Sequence, residues 1–211
     1  MLCKDKSQGI AEILRMVNFA QKPILALIAG GSCCGKTYLS KKIAAKLEEK
    51  SLKSTVVSLD DYFRGAGDSM LPRDSRGANI FDDPGSYHKA ELIEDINLLL
   101  SVRDKVWIPE YDISRNERVS RHGKLILFSP VIIVEGLYVI DFLSDVFPGS
   151  IKIYVDAGEH ILLRRRIKRD TVLYNVASSL VEKKFKLKVL PYHRQLVEPQ
   201  KTKADIVIIN E

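Results

Sequence analysis

Cysteine is scarce in this 211-residue sequence, which holds only Cys3, Cys33 and Cys34. An odd number with two members adjacent is no disulfide framework, and a reducing cytoplasm is the simplest setting. No apolar run reaches the ~18 residues of a membrane-spanning helix. The opening stretch, MLCKDKSQGIAEILRMVNFAQK, has charges between its apolar positions, which excludes a cleaved secretory signal. Histidine is sparse too, and His88, His122, His160 and His193 show no metal-ligand spacing, so no zinc site is expected. Internal repeats, low-complexity tracts and linkers are all missing, and a single domain over 1–211 is expected.

What is present is an ordinary globular mixture, 45% apolar and 28% charged. Its net charge of +6 is unevenly placed. From Arg164 to Lys203 there are twelve Lys/Arg and three Asp/Glu, a balance of +9, which leaves −3 for the remainder. Such a field suits a polyanion, either nucleotide phosphate or nucleic acid, or is simply a solvated helix face. No nucleic-acid motif accompanies it, so a nucleic-acid partner is not expected.

Short runs rich in Val and Ile, at 24–29, 55–59, 131–134, 151–155 and 205–209, read as central strands. Helical spacing occupies 35–49, 89–101, 158–169 and 177–188, and Ile10, Ile13, Leu14 and Val17 mark a short amphipathic helix in a 1–22 extension. Alternating strand and helix predicts an α/β doubly wound fold with a five-stranded parallel sheet. Ligands then bind beyond the carboxyl ends of the strands. The stretch 106–128 breaks the alternation and reads as an inserted hairpin turning at His122–Gly123, on the substrate side.

The first strand runs into 30-GGSCCGKT-37, which fits G-x-x-x-x-G-K-[ST]. Glycines let the main chain curl so that successive N–H groups face an anion, and the following helix adds its positive end. Gly30, Gly31, Ser32, Cys33, Cys34, Gly35, Lys36 and Thr37 are thus the expected triphosphate cradle, with Lys36 on the terminal phosphates and the Thr37 hydroxyl on magnesium. Cys33 and Cys34 are read as small residues that fit the loop, with redox-sensitive thiolates beside a helix N-terminus and a lysine as the alternative. Two further strands end in carboxylates, Asp60-Asp61 and Glu135, which are costly there unless paired or holding a cation. Asp60 is read as functional and Asp61 as a cap or turn residue. Arg166 and Arg169, three apart, share a helix face.

The blocks GGSCCGKT, SLDDYF, IFDDPGSYHKAELI, PEYDISRNER, VIIVEGLYVI, YVDAGEHILLRRRIKRD and VEPQKTKADIVI together resemble the uridine kinase/phosphoribulokinase family of P-loop kinases, closest to its uridine kinase members. The resemblance covers about 24–209. It implies γ-phosphoryl transfer from ATP, with Mg2+, to a hydroxyl of a small metabolite in the cytoplasm, foremost the 5′-hydroxyl of uridine or cytidine. Asp60 matches the base for the acceptor hydroxyl and lies near the metal, and Glu135 matches a magnesium-holding carboxylate. Asp82 and Arg166 match residues that hold ribose hydroxyls, Phe81 and Tyr111 line the nucleoside pocket, and Arg169 matches a phosphate contact. A membrane is not implied, and a homo-oligomer is left open.

Two departures stand out against the resemblance. The lid region, 171–188, lacks the family's Arg-Gly-Arg element, and only the lysines at 183, 184, 186 and 188 follow. Ile113 replaces an aromatic residue, and Asn116 stands where related nucleoside kinases have a base-reading histidine. Sibling acceptors (pantothenate, nicotinamide riboside, ribulose phosphate, glycerate) and a weakly catalytic ATP-binding regulator are the alternatives these departures raise.

Overall fold

A computed structural model describes residues 2–21, 23–102 and 104–211. Met1 and Lys22, the outer positions of the expected 1–22 extension, lie outside the described residues, as do Arg103 and the side chains of Leu2 and Cys3.

The chain opens with β1 (Leu2–Asp5) and α1 (Lys6–Phe19). Asp5 caps the helix, its Oδ1 accepting from the N–H groups of Ser7 and Gln8, each at 2.9 Å. There follow β2 (Ile24–Gly30), α2 (Lys36–Glu48), β3 (Ser54–Ser58), α3 (Lys89–Ser101), β4 (Lys105–Asp112), β5 (Glu117–Leu127), β6 (Val131–Glu135), α4 (Val139–Leu143), β7 (Ile151–Asp156), α5 (Glu159–Tyr174), α6 (Ser178–Lys184) and β8 (Ile206–Ile209). From α6 the helical path continues through wide turns at Phe185–Val189 and His193–Val197 and closes with a tight turn at Glu198–Lys203. The helix expected to stop at 188 therefore runs farther.

The main sheet is parallel, in the order β1-β8-β7-β2-β6-β3. It has six strands rather than the expected five, because the N-terminal segment adds β1 beside β8. Strand β2 is buried along its whole length, and its side chains alternate between two cores. Leu25, Leu27 and Ala29 face the layer containing α3, while Ile24, Ala26 and Ile28 face α1, α2 and α5. This central strand pairs with β6 on one side and β7 on the other. A crevice opens at such a switch point, and the loop after β2 sits in it.

β4 and β5 form a separate antiparallel hairpin. Its turn lies at 113–116, where Asn116 takes φ 52°, and not at His122–Gly123 as expected. His122 and Gly123 are inside β5. Ion pairs hold the hairpin to the body: Lys124 to Asp61, Arg121 to Asp95 at 2.9 Å, and Arg118 to Glu91.

Much of the C-terminal basic field is neutralised internally. Lys186 pairs with Glu182, Lys188 with Asp74, Arg194 with Glu159, Lys201 with Asp156 and Lys203 with Asp141.

Candidate active site

The loop from β2 to α2 follows from its residue types. Gly35 precedes α2 with φ 103°, a left-handed conformation that favours glycine. No side chain caps that helix, and no acidic residue sits in its first turn. The free N–H groups and the positive end of α2 therefore face the crevice, a ready anion site. Lys36, only 9% exposed, curls back so that Nζ donates to the carbonyls of Gly30 and Gly31, each at 3.0 Å. Burial opposes its charge, but the Cys34 sulfur and the Glu135 and Asp60 carboxylates outweigh it and raise its pKa.

Glu135 ends β6 directly beside this loop. Its Oε1 accepts from the Thr37 hydroxyl at 3.0 Å and from the Ser58 hydroxyl at 3.3 Å. Asp60 lies in the tight turn Leu59–Tyr62 after β3, with its N–H donating to Ser58 Oγ at 3.3 Å. Burial first, and the charge of Glu135 second, push the Asp60 carboxyl up to about 6. Asp61, beside it in the same turn, pairs with Lys124, and the side chain that caps the turn is that of Ser58.

One cavity of ≈ 720 Å³ collects nearly all the predicted residues. Ser32, Cys33, Gly35, Lys36, Thr37, Asp60, Phe81, Asp82, Tyr111, Glu135, Arg166 and Arg169 line it. Of the expected set, Gly30, Gly31 and Cys34 shape the loop without lining the cavity. Cys34 is fully buried, and burial raises its thiol pKa, so it behaves as a packing residue.

Two electrostatic neighbourhoods share the cavity. Asp60 feels Glu135, Lys36 and Arg169. Asp82 feels Arg166, Lys184 and Arg169, although burial dominates and raises its pKa. Arg166, nearly buried, donates from Nη1 to Ser32 Oγ at 3.2 Å and lies 3.4 Å from Asp170. Arg169 donates to the same carboxylate at 2.8 Å. Burial and the Asp60 charge push the Tyr111 hydroxyl up to about 12, and it has no hydrogen-bond partner among the described residues.

Several cavity residues escaped the sequence reading. Phe63 packs edge-on to Phe81, ring centroids 5.8 Å apart, and lies 5.5 Å from the Tyr111 ring. Its position just beyond the Asp60-Asp61 strand end was the available signal. Leu137 follows Glu135 in the same way. From the 171–188 segment come Tyr174, Val176, Leu180, Val181 and Lys184. Lys184 is the one lysine of that segment that lines the cavity among the described residues, and it has no ion pair there. Ile113 and Asn116, the two departures in the hairpin, line it as well.

A model of the phosphoribulokinase/uridine kinase family matches residues 25–210. Uridine kinase of Streptococcus agalactiae serotype V is 34% identical over 192 residues, covering 89% of this chain and 87% of its own. Uridine kinase of Limosilactobacillus reuteri is 31% identical, with 89% and 84% covered. Among solved structures, a candidate fructose transport system kinase from Silicibacter sp. TM1040 superposes with a TM-score of 0.78 at 18% identity, covering 97% of this chain and 98% of that one. D-glycerate 3-kinase from Cryptococcus neoformans gives 0.63 at 11% identity, with 89% and 87% covered. A mononucleotide-type sheet with a phosphate-cradling loop at its switch point, matched over nearly its full length, places this chain in the phosphoribulokinase/uridine kinase family of P-loop kinases.

Proposed function

We propose that the protein transfers the γ-phosphoryl group of ATP, with magnesium, to a hydroxyl group of a small metabolite, and that the acceptor is the 5′-hydroxyl of uridine or cytidine. The observation that carries this reading is the convergence of Lys36, Thr37, Asp60 and Glu135 on one cavity that also holds Asp82, Arg166 and an aromatic wall. Phosphoryl transfer asks little of a protein beyond positioning and charge stabilisation, and these are the groups it needs.

The residues fit magnesium. Thr37 and Glu135 offer hard oxygens 3.0 Å apart. Magnesium typically takes one or two carboxylates together with phosphate oxygens and waters. No group of three or more His, Cys, Asp or Glu able to hold a metal is found among the described residues, so the nucleotide would supply the remaining ligands. Bound there, the ion neutralises charge on the terminal phosphates.

Lys36 leaves the Gly30 and Gly31 carbonyls for the phosphates, and Arg169 adds a second cation near Asp60. Asp60 takes the acceptor proton. With a pKa of about 6 it is mostly ionised at neutral pH yet more basic than an ordinary aspartate. Asp82 and Arg166 hold the ribose hydroxyls. Phe81 and Tyr111, joined by Phe63, flank the ring. The 171–188 segment closes as a lid over this assembly, with Lys184 as its inward cation. Uridine as acceptor draws on the names of the relatives.

A second reading, an acceptor other than a nucleoside, is favoured by Ile113 and Asn116 on the ring side of the cavity. The test is ADP release with a panel of uridine, cytidine, pantothenate, nicotinamide riboside, ribulose phosphate and glycerate, with mass spectrometry of the product. A uridine or cytidine 5′-phosphate supports the proposal. Another phosphoester moves the acceptor, and no phosphoester with any acceptor removes the catalytic reading.

A further inference from the structure

The geometry points to Asn210 as a positioning residue for the phosphate cradle. Its side-chain amide holds the Cys34–Gly35 peptide so that the Gly35 N–H is turned toward the cavity. Asn210 belongs to no phosphate-binding motif and stands 176 positions from Cys34 in sequence. It follows β8 directly and is 6% exposed.

The side-chain Nδ2 donates to the Cys34 carbonyl oxygen at 2.6 Å. Arg165 Nη1 approaches the same oxygen at 3.4 Å, a weaker second donor. Neither Asn210 nor Arg165 lines the cavity, so both grip this carbonyl from behind. In a planar trans peptide the C=O and the following N–H point in opposite directions. Holding the Cys34 oxygen on the rear side therefore aims the Gly35 N–H at the front, where Gly35 lines the cavity. The N–H of Cys34 is already engaged with the Gly31 carbonyl at 3.1 Å, which fixes the peptide before it and leaves the Cys34–Gly35 peptide to be held by its own carbonyl.

Asn210 is itself fixed. Its backbone N–H donates to the Asp156 carbonyl at 2.8 Å, at the end of β7. Its Nδ2 also occupies the space where a Cβ on Gly35 would project. Gly35 is thus required twice, by its positive φ and by the close approach of this amide. The carboxyl ends of β7 and β8 together brace the cradle through one amide.

This inference rests on the proposed triphosphate binding, and one experiment separates the two. Magnesium ATP and magnesium tripolyphosphate are titrated calorimetrically into the full chain and into two variants. Asn210→Asp is nearly isosteric but puts an acceptor where the donor stood, and Asn210→Ala removes the group. Loss of one buried hydrogen bond should raise both dissociation constants together by about tenfold in either variant. KM for ATP should rise in step, while kcat at saturating ATP stays within about threefold.

Unchanged affinity in both variants overturns the inference, as does a loss for ATP with none for tripolyphosphate, which would assign the side chain to another part of the nucleotide. If the Asp variant has no cooperative melt, the Ala variant is read by the same comparison. Failure of both to fold also overturns it, because the contact would then serve the fold. Wild-type protein that binds neither probe defeats the triphosphate reading itself, and the inference with it.

Discussion

Replacing Asp60 by Asn is expected to give a more stable and nearly inactive protein. Burial and the Glu135 charge push the Asp60 pKa up to about 6, against 3.8 for an unperturbed aspartate. The folded state thus holds this proton more tightly than the unfolded chain does. Stability from this group is greatest where the carboxyl is protonated in both states, and it falls as pH rises through the interval between the two pKa values. Above the folded pKa the whole difference applies, about two units or roughly 3 kcal/mol. Asparagine carries no charge at any pH and escapes that penalty. Asp60→Asn should therefore be more stable than wild type by up to ~3 kcal/mol near pH ~7.5, roughly 6–12 °C in Tm at this chain length. The gain should shrink below about 1 kcal/mol near pH ~4, where the native carboxyl is itself protonated. Turnover near pH ~7.5 should fall by about 10²- to 10⁴-fold, the usual worth of a general base. Thermal melts at the two pH values and a coupled ADP assay read both effects. Equal Tm at neutral pH would refute the desolvation argument, and turnover within a few-fold of wild type would remove Asp60 from its role.

Three further changes probe the rest of the cavity. Glu135→Gln keeps an acceptor for the Thr37 and Ser58 hydroxyls but loses the charge. It should raise the magnesium concentration for half-maximal rate by about tenfold or more, and a shift under about twofold would count against the metal assignment. Asp82→Asn should raise the acceptor KM about tenfold and leave the ATP dissociation constant unchanged, as titrations of each ligand would show. Lys184→Ala should lower kcat/KM by about tenfold, whereas Lys186→Ala, whose ammonium is tied to Glu182, should stay within about twofold; equal losses in the two would dismiss Lys184 as the lid cation.

How much of this was legible in the sequence depended on the range of the interactions. The cradle could be read because its chemistry is local: glycine, lysine and threonine at fixed offsets after a buried strand. The carboxylates at the ends of β3 and β6 could be read because apolar runs seldom end in unpaired acids without a reason. β1 could not, since LCKD carries two charges in four residues and becomes a strand only by pairing with β8 across the whole chain. The hairpin turn was misplaced because Gly123 resembles turn punctuation. In the fold it lies where the β4–β5 register shifts near Glu110, and a Cβ there would collide with the Glu110 side chain. Glycine inside a strand often marks such close approach. Asn210 gave no pattern of its own, and Phe63 only its place just beyond the Asp60-Asp61 strand end, since each matters through contacts made in three dimensions.

The internal pairing of the C-terminal lysines and arginines bears on how ionic strength acts. Lys188 reaches Asp74, Arg194 reaches Glu159, Lys201 reaches Asp156 and Lys203 reaches Asp141, so each bond fastens the closing stretch to a different part of the body. Dissolved electrolyte shortens the reach of such partly exposed pairs, to about 10 Å at 0.1 M. The paired atoms sit well inside that distance, so the wrapping of this stretch around the sheet should outlast moderate salt, while the approach of a distant charged partner is what electrolyte changes most.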